Sequence, residues 1–251
     1  MVNGALSIGG FLGVLLSGAF VYWEVGRFAA PQVPRSLFDE RKEVFAYTAG
    51  LFVGIPMAFL LLLLTSAVAN AAVLAAIIDF VILVGATEAA QWFLARSVYF
   101  GRSEATPFYA LGFRAGIGGI LVLGAVTAYL GGPTITAGGL VFLATEVLAL
   151  FALQVNGALV SIPRPQEATG GPISGLVVGL AGMTVLSLGL AVTGLTGAAA
   201  GLLVLAGTIP SYRRLRRRVL GRIARRAGRA PEESPPEGEP GTERPFGRTG
   251  P

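Results

Sequence analysis

The stretch AAVLAAIIDFVILVGATEAAQWFLAR, residues 71–96, sets two carboxylates, Asp79 and Glu88, inside an otherwise apolar segment of helix length. A bilayer span needs about 20 apolar residues at 1.5 Å rise each, which this segment supplies. An ionisable side chain at the bilayer centre costs at least ~2.5 kcal/mol, so each acid calls for a partner, a proton or an ion. The two acids stand nine residues apart, which turns them about 180° from one another, so one helix does not aim both at one cavity.

The rest of the chain supports the same setting. Charged residues make up 13% of the sequence, against about 25% for a soluble chain, and mean hydropathy is +0.70. Cysteine and histidine are both absent, which removes disulfides, thiol nucleophiles, imidazole bases and most zinc sites. No cofactor, no metal and no enzymatic activity is expected. Of the 19 basic residues all but Lys42 are Arg, a bias that fits a GC-rich prokaryotic genome. The pI near 10.1 does not point to nucleic acid, because the basic residues border apolar segments or lie in one tail.

Charges also count the helices. Met1 to Trp23 carries no basic n-region and is too long for an h-region, so it reads as a first span rather than a cleavable signal peptide. A proline-containing, mixed-charge loop follows, from Phe28 to Glu43. Val44 to Ala95 then runs 52 residues without a basic side chain, about 78 Å as one helix against a ~30 Å core, so it must fold back, with a turn near Ser66 to Asn70. Ala115 to Pro163 repeats the design around Gly131, Gly132 and Pro133, and Ala168 to Tyr212 repeats it around Thr193 to Gly197. One span and three hairpins give an all-α polytopic membrane bundle of seven transmembrane helices over residues 1–211. All 19 basic residues then fall on one side or at its edge, which places the N-terminus outside and the C-terminus in the cytoplasm, as in a multi-pass protein of the cell membrane.

After Pro210, Tyr212, Leu215, Val219 and Ile223 recur at helical spacing among Arg213, Arg214, Arg216, Arg217, Arg218, Arg222, Arg225 and Arg226. The spacing predicts a juxtamembrane amphipathic helix over 212–229 whose arginines meet anionic lipid headgroups, or else a plain stop-transfer signal. Residues 230–251 are rich in Pro, Gly and Glu, the composition of a disordered tail. Glycines recur at four-residue spacing in five pairs: Gly9 and Gly13, Gly50 and Gly54, Gly112 and Gly116, Gly175 and Gly179, Gly197 and Gly201. This spacing predicts close helix packing. Gly54 and Pro56 together predict a kink, either an ordinary one or a gating hinge.

Two polar groupings carry the functional expectations. Glu88 and Arg114 come to similar depth in consecutive helices, with Gln91, Gln154 and Asn156 at the same level. This buried polar cluster is expected to be a structural lock, with a substrate site as the competing reading. Asp79 and Glu146 have no basic residue at their depth and are the candidate proton- or ion-binding pair. A retinal protein is excluded, since Leu195 to Pro210 offers no lysine for a Schiff base, and the flanking motifs of intramembrane aspartyl proteases are absent. Gly50-Leu-Phe-Val-Gly-Ile resembles Gly175-Leu-Val-Val-Gly-Leu, and Pro31-Gln32 and Pro165-Gln166 are similar to the signature of PQ-loop sugar facilitators. Those dipeptides lie in predicted loops rather than within helices, so no family is assigned on them. The expected function is a non-catalytic accessory or scaffold role in the membrane, with a membrane-protein partner or a homo-oligomer. The alternative is a proton- or sodium-coupled solute transporter working through Asp79 and Glu146.

Overall fold

The computed structural model describes residues 2–24, 38–70, 73–97, 99–100, 105–130, 136–161, 170–192 and 194–227. The expected disordered tail and most of the Phe28–Glu43 loop lie outside them. Every regular element among the described residues is a helix: α1 (Val2–Val21), α2 (Glu40–Ala69), α3 (Val73–Arg96), α4 (Thr106–Leu130), α5 (Ala137–Val160), α6 (Gly170–Val192) and α7 (Gly194–Ala227). Six of them are long and apolar enough to cross a membrane, and α6 has a shorter apolar stretch, Ile173–Gly189. The reversals predicted from glycine, proline and polar residues fall between α2 and α3, α4 and α5, and α6 and α7, and each of these pairs packs together. Large apolar side chains such as Phe11, Phe52, Phe59, Phe93, Leu195 and Leu203 face outward, the surface expected of a bundle solvated by lipid.

The hub is α4. It packs on α1, α2 and α5, and it is buried along most of its length. Without a hydrophobic driving force between helices in lipid, close backbone approach has to supply the packing energy, and glycines make that approach available. Gly119 of α4 meets Gly13 and Ser17 of α1, Gly116 meets Tyr47 and Gly50 of α2, and Gly118 meets Phe151 of α5. A side chain at any of these three positions would run into the neighbouring helix. The outer helices use the same device, Gly179 against Val84 and Gly201 against Thr145, so the glycine pairs seen in the sequence are packing positions. A second arc, α3, α6 and α7, closes around this centre: α6 packs on both α3 and α5, and α7 packs on α5 and α6.

Two prolines, Pro56 and Pro210, lie in helix interiors, beyond the first turn. Gly54 of α2 is pressed on Ile117 and Ile120 of α4 while Pro56 faces outward, and the helix runs through both. The basic segment differs from a separate juxtamembrane helix, since α7 continues through Pro210 to Ala227. Proline removes one backbone donor and frees the Ala206 carbonyl, but the ladder on either side stays intact and the following arginines favour helix. Val219, Leu220 and Ile223 are buried in the protein's own core cluster, so the apolar face of this segment is turned to protein.

Candidate functional site

The polar cluster gathers around Arg114, which α4 places about 12 Å from its start. Its guanidinium donates from Nε to Gln91 Oε1, from Nη2 to Glu88 Oε1, and from Nη1 to Gln154 Oε1 at 2.9 Å. Gln91 in turn donates from Nε2 to the Ala158 carbonyl at 2.9 Å, and Ser161 Oγ donates to Glu88 Oε2 at 2.5 Å. Glu88 and Gln91 share a face of α3, so one carboxylate and one amide reach the planar fork of a single arginine. Ser161 is the C-cap of α5, and its own N–H bonds the Gly157 carbonyl, which fixes the hydroxyl donor in place. Gly157 leaves room under the guanidinium, and Gly175 of α6 lies so close to Ser161 Oγ and Glu88 Oε2 that it has no space for a methyl group.

Charge and shape both close this site. Arg114 and Glu88 are buried and paired, and the neighbouring cavity, walled by Leu83, Thr87, Leu153 and Met183 among others, measures about 20 Å³. That is room for a single water. The network ties α3, α4 and α5 together through five hydrogen bonds, and α6 seals it with Gly175.

Other residues singled out in the sequence lie elsewhere. Asn156 is buried at the expected level, but two residues beyond Gln154 it points about 200° away, and its Oδ1 has no partner among the described residues. Asp79 is half-buried at the edge of the packed face of α3, and no hydrogen bond or ion pair reaches it among the described residues. Glu146 is buried on α5, with Oε2 unpartnered among those residues. With α6 packed between α3 and α5, no described pocket brings the two acids together.

Two further buried acids are not anticipated from sequence. Glu43, read as the end of a loop, lies against Gly112 with both carboxylate oxygens buried and unpartnered among the described residues. Glu24, the residue that follows the predicted first span Met1 to Trp23, is 1% exposed and accepts from Nε of Arg216 on α7. Arg216 is therefore turned inward, whereas Arg213, Arg214, Arg217, Arg218 and Arg222 are exposed. Arg225 and Arg226 lie on α7, and their side chains are outside the described set.

The Glu24–Arg216 pair borders the larger of two pockets among the described residues. α1 and α7 stand apart over α5 and leave a half-open groove of about 470 Å³. Phe20 and Trp23 form one wall, Phe151, Ala152 and Val155 the floor, and Thr208, Ile209 and Tyr212 the other wall, with Arg213, Arg216 and Arg217 above. Phe20 sits edge-on to Phe151 at 5.5 Å and to Tyr212 at 6.2 Å between ring centres, which holds the two sides in register. Compared with known proteins, the chain matches no family model, no curated protein and no solved structure.

Proposed function

We propose that the chain is a non-catalytic accessory or scaffold protein of the cell membrane, crossing it seven times with the N-terminus outside and the C-terminus in the cytoplasm. The observation that carries this reading is the closed Arg114 cluster. Its polar groups are spent on interhelical hydrogen bonds, and the space beside it admits one water. α6, with 23 residues, reaches about 34 Å and is long enough to serve as the seventh span. Placement of the basic residues supports the orientation.

A proton- or sodium-coupled transporter is the second reading, favoured by one observation: Glu146 keeps a buried oxygen without a partner among the described residues. Flux through purified protein in sealed vesicles decides between the two. The scaffold reading predicts no dissipation of an imposed proton or sodium gradient above empty vesicles. A flux abolished by Glu146→Gln would overturn it. Single cysteines at Asn3, Asn70 and Thr134 should react with an impermeant thiol reagent added outside cells, while Ser103 and Ser234 should not; labelling at Ser103 would refute the orientation.

A further inference from the structure

The groove between α1 and α7 has a polarity along its length. Ile209, Tyr212, Arg213, Arg216 and Arg217 recur at i, i+3, i+4, i+7 and i+8, so the face of α7 that lines it changes from apolar to cationic over about 12 Å. Arg216 is neutralised by Glu24. Arg213 and Arg217 are exposed at the rim and carry no protein partner among the described residues.

Apolar walls topped by two unneutralised guanidiniums complement a molecule that is apolar at one end and anionic at the other. Guanidinium matches phosphate bidentately, and a volume of about 470 Å³ is that of a ligand pocket rather than a packing defect. We propose that this groove is a specific site for one anionic phospholipid. An acyl chain lies between Phe20, Trp23, Phe151 and Ile209, and the phosphate rests on Arg213 and Arg217. Free phosphate would gain nothing from the apolar walls, and a zwitterionic lipid would bring its own cation to the same two arginines.

α7 supplies the control. Arg214, Arg218 and Arg222 form a second exposed row outside the groove, so general attraction to an anionic leaflet weighs both rows equally and a groove site does not. The chain holds two tryptophans, and Trp92→Phe leaves Trp23 in the groove wall as the sole indole. Full-length protein in phosphatidylcholine nanodiscs is titrated with phosphatidylglycerol carrying brominated acyl chains, and quenching of Trp23 is read against brominated phosphatidylcholine. The expected result is preferential quenching by phosphatidylglycerol, lowered roughly thirtyfold in relative affinity by Arg213→Gln with Arg217→Gln and unchanged by Arg214→Gln with Arg218→Gln. Ala152→Leu, which narrows the floor and keeps every arginine, should also weaken quenching, and millimolar inorganic phosphate should not displace the lipid. Equal loss from the two arginine pairs, displacement by inorganic phosphate, or no preference for phosphatidylglycerol would each overturn the proposal.

Discussion

Among the described residues, two Arg–Glu pairs join distant parts of the chain, and they are finished in opposite ways. Around Arg114 of α4, two helices, α3 and α5, supply acceptors, a capping serine completes the carboxylate, and a glycine of a fourth helix shuts the remaining face. Around Arg216, the carboxylate is buried but the arginine stays about one-fifth exposed, and the helices on either side part into a groove. The same ionic chemistry is a joint in one place and the border of an opening in the other. What differs is the number of helices that converge on it, not the charges themselves.

The largest effect is expected at the closed pair. Glu88→Gln or Arg114→Met alone should lower stability by about 3–5 kcal/mol, since each leaves a buried group uncompensated, and the double change should recover part of that loss. Reversible unfolding in mixed micelles measures both; strictly additive losses would mean that the two residues do not act as a pair. At the open pair, Arg216→Gln should cost about 1–3 kcal/mol, because water entering the groove partly solvates the stranded Glu24. A loss there as large as at Arg114 would erase the contrast.

A methyl group probes the same difference without touching charge. Gly175→Ala drives a methyl onto Ser161 Oγ and Glu88 Oε2 and should cost about 1–3 kcal/mol. Gly207→Ala on α7 meets nothing within 4 Å and should be neutral or stabilise by up to about 1 kcal/mol. Equal thermal midpoints for the two variants would show that α6 does not seal the cluster. Smallest of all is Glu146→Gln, which replaces a buried carboxylate by a neutral isostere and should raise stability slightly; a marked loss would reveal a partner for Glu146.

Much of this architecture is legible in the sequence, because lipid imposes simple rules on length and charge. Apolar runs without basic residues, one of single-span and three of hairpin length, fix the helices, and glycine, proline and polar residues within them fix the reversals. The Glu88–Arg114 pair, with Gln91 and Gln154, follows from depth counted along consecutive helices. Depth is not direction, and Asn156 shows the limit: it lies at the same level but turns away from the cluster. Ser161, near the end of the Ala115–Pro163 run, carries no sequence signal of its own, because a C-cap has no hydrophobic period to mark it. Glu24 looks like any charge that ends a span, and its partner lies 192 residues further on, a separation that no local pattern carries. The basic segment of α7 shows the correct helical face, yet the sequence does not say whether lipid or protein covers it.

Closure of the bundle at Arg114 and its opening between α1 and α7 are both read by thiol access in this cysteine-free chain. Thr87 borders the small cavity beside Arg114 and is 1% exposed, while Arg213 stands exposed at the rim of the groove. Thr87→Cys and Arg213→Cys, each alone in the full-length protein, are treated with a small cationic methanethiosulfonate from both sides of the membrane. Prompt modification is expected at position 213, and none at position 87 until the protein is unfolded. Modification of position 87 in the folded protein at a rate comparable to position 213 would contradict that closure.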